Sequence, residues 1–295
     1  MQTQIVISAS RRTDIPAFYM DWFMERIKAG FFTVTNPYNL KTSLIPATAD
    51  KVHTIVFWSK DFSRFIAGNY GQRLIQEGYH LFFNFTINSQ SKLLEPNIPP
   101  LENRLEQAAW LCEKFGADSV QWRFDPICFF TFEGGPIQNN LEGFLFIASH
   151  LGSLGIARCV TSFMDHYAKI RKRTAAIPGF TFVDVSMDEK INVLMNMHSA
   201  IASLGMTLYI CCEKEVMDNL PAGRGIEASS CISNRLLVDL FGGHLSFKKD
   251  YGQRVKQGCG CLESKDIGLY DLHPCHHNCL FCYANPSSDG KAGCK

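Results

Sequence analysis

The segments His53-Thr54-Ile55-Val56-Phe57-Trp58 and Tyr79-His80-Leu81-Phe82-Phe83-Asn84-Phe85-Thr86-Ile87, with Phe62–Gln76 between them, decide the fold. Both outer segments are short, apolar and rich in β-branched and aromatic side chains, the pattern of strands buried on two faces. The segment between them has helical spacing, bent near Gly68 and Gly71. Strand, helix, strand at this length is one βαβ unit. Upstream, Gln4–Ala9 reads as a strand, Ala17–Ala29 as a helix burying Trp22, Phe23, Met24 and Ile27, and Phe31–Thr35 as an extended piece before an Asn36-Pro37 turn. Downstream, Leu101–Phe115 is a helix, Ser119–Phe124 a strand, and Ile137–Leu154, Ala157–Phe163, Met187–Leu204 and Met206–Cys211 continue as helix, strand, helix, strand. Gly116, Gly155 and Gly205 follow helical stretches as C-caps.

Six strands separated by helices predict a parallel α/β sheet, read here as a partial (β/α)6-type barrel over residues 1–228, with a doubly wound sheet as the alternative. In either, ligands collect beyond the carboxyl ends of the strands. The residues there are Ser10-Arg11-Arg12-Thr13-Asp14, Trp58-Ser59-Lys60, Thr86-Ile87-Asn88, Arg123-Phe124-Asp125-Pro126, Ser162-Phe163-Met164-Asp165 and Cys211-Cys212-Glu213. So many polar groups at one rim point to an active site, although Thr13 or Asp14 can simply cap the helix entered through Pro16.

Composition narrows the class. Hydrophobic residues at 46% and charged residues at 19% exclude a disordered chain, and a net charge of +1 gives no general attraction for nucleic acid or anionic membrane. Met1-Gln2-Thr3-Gln4 lacks the basic start of a secretory signal, and no apolar run reaches the ~18 residues of a membrane span, so a cytoplasmic protein is expected. The chain has 12 cysteines, and in a reducing compartment clustered cysteines are metal or redox ligands more often than disulfides.

Residues 229–295 form a separate Cys-, Gly- and His-rich segment with one short helix at Arg235–Phe241 and little apolar material, so a metal is expected to fix it. It ends in Cys275-His276-His277-Asn278-Cys279-Leu280-Phe281-Cys282, a C-x3-C-x2-C loop with an aromatic before the last cysteine. Three thiolates can hold three irons of a [4Fe–4S] cube and leave the fourth open to the amino and carboxylate groups of S-adenosylmethionine. Zinc held by these cysteines with His273, His276 or His277, a fully cysteine-ligated electron-transfer cluster, and plain structural cysteines are the alternatives. A second set, Cys231, Cys259 and Cys261 with Cys211 (or Cys212 in its place), is enough to saturate an auxiliary [4Fe–4S] cluster, or to bind zinc. Cys112, Cys128 and Cys159 read as buried hydrophobes and Cys294 as incidental.

The cysteine loop resembles the signature of the radical S-adenosylmethionine superfamily, in which the aromatic lies near the adenine; that role would fall to Phe281. Over nearly its whole length the chain is similar to a bacterial family known as domain of unknown function 1848. The match rests on Ser8–Pro16, Phe57-Trp58-Ser59-Lys60, Trp122-Arg123-Phe124-Asp125-Pro126, Cys259-Gly260-Cys261, Asp266-Ile267-Gly268 and Cys275 through Asn285. That family is regarded as radical-S-adenosylmethionine-like. The R-x-D-P block at Arg123 also resembles the spore-photoproduct-lyase-like branch, which implies nucleic-acid repair as an alternative; the basic run Lys169, Arg171, Lys172 and Arg173 reads better as a solvated helix face. Two features depart from the superfamily. The loop follows the last strand instead of the first, so it must fold back over the barrel mouth, and the usual Gly-Gly-Glu segment is missing, with only a reversed Glu133-Gly134-Gly135 after the fourth strand.

The resemblance implies reductive cleavage of the cofactor to methionine and a 5′-deoxyadenosyl radical acting on a small-molecule or peptide substrate, with a flavodoxin- or ferredoxin-type reductant. Arg11, Arg12 and Lys60 are candidates to hold a carboxylate or phosphate, or else ion-pair with Asp14 or Asp125. Arg123 and Asp125, two apart on a strand end, share a side and either bind the cofactor or pair with each other. Ser162 and Asp165 are lesser candidates for cofactor contact, and Glu213 is one for the amine.

Overall fold

A computed structural model describes residues 4–35, 40–221, 223 and 225–284. Its main sheet has eight strands: β1 (Ile5–Ala9), β2 (Val52–Ser59), β3 (His80–Thr86), β4 (Val120–Ile127), β5 (Arg158–Phe163), β6 (Thr207–Ile210), β7 (Ile226–Ala228) and β8 (Lys265–Asp266). All neighbours are parallel, in the order β7-β6-β5-β4-β3-β2-β1-β8. Strands β1 to β7 thus follow one another across the sheet with no reversal of order, which removes the doubly wound alternative. Among the described residues no pairing joins β7 to β8, so the sheet is an open one and not a closed barrel.

Two side-chain rows explain how the sheet is covered. In-register positions Ala9, Phe57 and Phe83, then Phe85, Trp122, Cys159 and Leu208, belong to one face and pack with the crossover helices Met20–Ala29, Leu101–Phe115, Phe144–Ser153 and Met187–Ala202. Trp122, Phe57, Phe83 and Phe85 are almost completely buried there. Positions of the other parity, including Trp58, Asn84 and Gln121, then Thr86, Arg123, Val160 and Tyr209, form a far more polar opposite face.

The segment after β7 supplies the apolar cover this second face lacks. Leu237, from the helix Asn234–Phe241, and Leu245 pack with Val6, Val56 and Phe82. Ser233 caps that helix by accepting from Leu236 N, and the Asn234 amide donates to Ser246 O and Glu263 O, at 2.7 and 3.0 Å. At its far end His53 bonds Gly242 O at 2.8 Å and His80 stacks on Phe241. The chain then returns to the sheet as β8, where Asp266 accepts from Ser8 Oγ, Ser10 Oγ and Arg11 N.

Several elements differ from the reading of the sequence. The expected helix over 137–154 starts only at Phe144, because Gln138–Asn139 pairs with Phe129–Phe132 in a small antiparallel sheet completed by Phe180–Phe182. The helix expected from Ala17 begins at Met20, after a separate turn Ile15–Phe18 that Asp14 caps, and β4 runs on to Ile127. Phe31–Thr35 pairs with Thr42–Pro46; the Asn36-Pro37 turn between them lies outside the described residues. Among the described residues no helix is long and apolar enough to cross a membrane.

Truncating Leu237 removes the buried wedge between the tail and the polar face. Leu237→Ala is expected to cost about 2–5 kcal/mol, read as a lower urea midpoint with an unchanged slope; a loss below about 0.5 kcal/mol, the range of neutral surface changes, would contradict this packing.

Candidate functional site

The Cys275–Cys282 loop lies across the carboxyl ends of the strands, and its anchors come from the connections after three of them. From the β1 connection, Asp14 accepts from His277 Nε2 at 2.7 Å, and Tyr19 donates to Pro274 O at 2.6 Å. From the β3 connection, Leu94 O accepts from Leu280 N at 2.8 Å, and Asn97 bonds the backbone of His276 and His277. From the β5 connection, one nitrogen of Arg173 donates to Leu280 O and Cys282 O at 2.8 and 3.0 Å. Tyr283, just past the loop, donates back to Arg11 O. Arg173 therefore clasps the loop and Lys169 lies over the Tyr283 ring, while Arg171 and Lys172 of the same basic run are solvent-exposed.

Asp14 is the hub of this docking. Besides His277 it accepts from Ala17 N, Ser59 Oγ and Lys60 N, at 3.0, 2.7 and 2.9 Å. One buried carboxylate thus ties the ends of β1 and β2 to the cysteine loop. Gly268 gives the tail its close approach to β1: a Cβ there would lie 2.1 Å from Ser10 Oγ.

Lys60 Nζ contacts Glu95 at 2.5 Å and lies 5.4 Å from the centre of the Phe281 ring. Burial works to lower the Lys60 pKa, but Glu95 and Cys279 outweigh it and the net direction is up. Glu95 is almost fully buried, also accepts from Asn88, and sits 3.9 Å from Cys279 Sγ. Burial is the first cause holding the loop thiols protonated: it pushes Cys275 up to about 12 and Cys279 and Cys282 upward, with Asp14 and Cys282 adding at Cys275, and Glu95, Cys282 and Cys275 at Cys279. Phe281 is buried in an apolar cluster with Leu94, Ile98, Cys128, Phe130, Met164 and Phe180.

The second thiol set gathers on the polar face of the sheet. Cys211 Sγ is 3.4 Å from Cys231 Sγ and 3.6 Å from Cys212 Sγ; Cys212 in turn contacts Cys259, and Cys259 contacts Cys261. The structure therefore brings both Cys211 and Cys212 to the set, five thiols where the sequence required four. Cys212 adopts a left-handed backbone, φ 61°, that a non-glycine residue seldom takes. Hydrogen bonds from Cys211 and Cys259 draw its pKa down, while the same contact pushes the Cys211 thiol up. Among the described residues, no group of three or more His, Cys, Asp and Glu side chains is arranged to hold a single metal ion, and no disulfide is formed. Cys128 and Cys159 are buried in apolar surroundings, Cys112 is half-buried, and Cys294 and Asn285 lie outside the described residues.

The remaining rim candidates are already engaged. Arg123 donates to Asp125 at 2.6 Å and to Cys231 Sγ at 2.8 Å; Ser162 donates to the other oxygen of Asp125. Burial lowers the Arg123 pKa, yet Cys231 and Asp125 take it well above the ordinary value. Arg11 lies near Asp266 and Cys261, and Arg12 donates to Gly268 O. Neither arginine pairs with Asp14 or Asp125 as the sequence suggested. Glu213 accepts from Phe163 N, and burial raises it to about 7. Asp165 pairs with Arg254. Two residues escaped sequence reasoning. Glu95 sits in a loop without periodicity, its only signal the apolar Leu93-Leu94 before it and Pro96 after it; Arg254 belongs to a segment with no pattern.

Fold and site together define a parallel α/β protein with one cysteine loop docked at its strand ends and a second thiol set on its polar sheet face. The chain belongs to the family described as domain of unknown function (DUF1848), whose profile matches residues 6–284. No curated protein matches it significantly.

Replacing the hub tests the docking directly. Asp14→Ala leaves three backbone or side-chain donors and His277 without their acceptor and is expected to destabilise the chain by about 2–4 kcal/mol. Hydrogen exchange across 274–282 should accelerate more than exchange in the Leu101–Phe115 helix; uniform acceleration would contradict a local anchoring role.

Proposed function

We propose that this protein is a radical S-adenosylmethionine enzyme in which Cys275, Cys279 and Cys282 hold a [4Fe–4S] cluster. The observation that carries the reading is the docking of a C-x3-C-x2-C loop at the carboxyl ends of a parallel sheet, where open α/β folds place their ligands. We read that open, sequentially ordered sheet as a partial barrel whose inner side is the polar face. When bound, the cluster and its cofactor supply one-electron cleavage of a sulfonium and hydrogen abstraction from a small-molecule or peptide substrate.

The donor set fits. Thiols desolvated this strongly ionise only when a cation takes them, and Lys60 and Arg173 stand beside the loop to offset the negative charge of a thiolate-bound cluster. A cube does not need side chains converging on one ion, since each thiolate takes its own iron.

The chain's own residues then have distinct tasks. The Lys60–Glu95 pair fixes charge next to Cys279; Phe281 presents an aromatic wall that suits an adenine. Asp125, oriented by Arg123 and Ser162, and Glu213, held by Phe163 N, are acceptors for ribose hydroxyls or the cofactor's ammonium. Arg12, whose guanidinium donates to Gly268 O at the rim, is a candidate for a substrate anion. The second thiol set is proposed as an auxiliary [4Fe–4S] site, and a flavodoxin- or ferredoxin-type protein as the electron donor.

Anaerobic reconstitution tests this. Iron with matching sulfide and dithionite-dependent release of 5′-deoxyadenosine are expected; tightly bound zinc, no sulfide and no cleavage would overturn the reading. Cys279→Ala should abolish cleavage while keeping about four irons, the content of one cube.

A further inference from the structure

Arg123 at the rim faces sulfur, sending Nη1 to Cys231 Sγ at 2.8 Å and Nη2 to Asp125. Arg11 donates from Nη1 to Ser264 Oγ at 3.3 Å and lies 4.0 Å from Asp266, and it feels the charge of Cys261, at the other end of the same chain of thiols. Both guanidiniums lie over the Trp58 ring, at 5.1 and 5.3 Å from its centre, and Trp58 is fixed by its bond to Ser8. Arg11 Nη2 is buried with no hydrogen-bond partner.

An uncharged sulfur at Cys231 would not account for this contact. An arginine cannot shed its proton, and a buried guanidinium facing uncharged sulfur leaves its desolvation uncompensated. The nearby carboxylates meet only part of the demand. Asp266 is 4.0 Å from Arg11 and already accepts from Ser8, Ser10, Arg11 N and Gly268 N. Asp125 shares itself between Arg123 and Ser162. What the two cations lack is an anion at the sulfurs.

We infer that Arg11 and Arg123 are a paired positioning clamp on the auxiliary thiol site: they neutralise its thiolate-bound cluster, donate to its sulfurs and set its reduction potential. They are therefore not the residues that take the cofactor's or substrate's carboxylate. The inference rests on the auxiliary-cluster part of the reading above and is independent of cleavage chemistry at the loop.

The test isolates the second site. The Cys275→Ala/Cys279→Ala/Cys282→Ala variant, reconstituted anaerobically, should carry about four irons and be titrated by electron paramagnetic resonance. Adding Arg123→Gln or Arg11→Gln should shift the midpoint potential to more negative values, because a reduced cluster gains charge that the missing cation no longer offsets. Arg123→Lys, which keeps the charge, should recover part of the shift, and it decides the matter with Arg11→Gln if Arg123→Gln does not fold. Four irons with an unmoved potential and spectrum in the glutamine variants would overturn the inference alone. An iron-free triple variant would overturn it together with the auxiliary-cluster reading, leaving the loop untouched.

Discussion

A single buried carboxylate, that of Asp14, holds the architecture of the site. Its four donors come from the turn after β1, from the end of β2 and from His277 inside the cysteine loop, residues up to 263 positions apart in sequence. A charged acceptor at the ends of two parallel strands is costly to bury unless its donors are all in place. The loop can therefore occupy this position only when the sheet beneath it is formed. Asp266 repeats the device on the other side of β1, where it captures two serines and a backbone amide. Two acidic knots thus do for the tail what a continuous apolar face does for the crossover helices.

The same division runs through the whole sheet. One face is covered by helices and aromatic side chains. The other carries a hydrogen-bonded lattice, with Gln121 donating to Asn84, Asn84 to Cys231 O, and Arg158 to Gln121 and Tyr209. Polar groups so placed must be satisfied, and the tail does this by lying against them. A chain that covers its polar face with the segment after β7 can bring cysteines from the end of β6, from just after β7 and from the tail to one place. No local segment could assemble that set.

Much of this was legible in advance. The strands and helices around Phe57, Phe83, Trp122 and Cys159 announce themselves because their runs are short, apolar and aromatic, and the Cys275 loop because its spacing is local. The two-residue β8 and three-residue β7 are too short to carry a period, so six strands were read where eight exist. The helix expected from 137 starts only at Phe144 because the polar pair Gln138–Asn139 is taken up by backbone pairing with Phe129 and Phe130, a tertiary contact that carries no periodic signal. Charge partners were the least readable. Lys60 pairs with Glu95 and Arg11 with Asp266, contacts set by the tertiary path and not by spacing. The five thiols could be counted from the sequence, but the arginines turned toward them could not.

The proposed task of the loop at Cys275, Cys279 and Cys282 is to hold a cluster with one iron left open to S-adenosylmethionine. Electron paramagnetic resonance of the dithionite-reduced, reconstituted protein measures this most directly. A reduced-cluster signal is expected in which one component changes shape when S-adenosylmethionine is added, and that component should be lost in Cys279→Ala while the auxiliary cluster's signal remains. No component that responds to the cofactor, or a responsive component that survives in that variant, would contradict it.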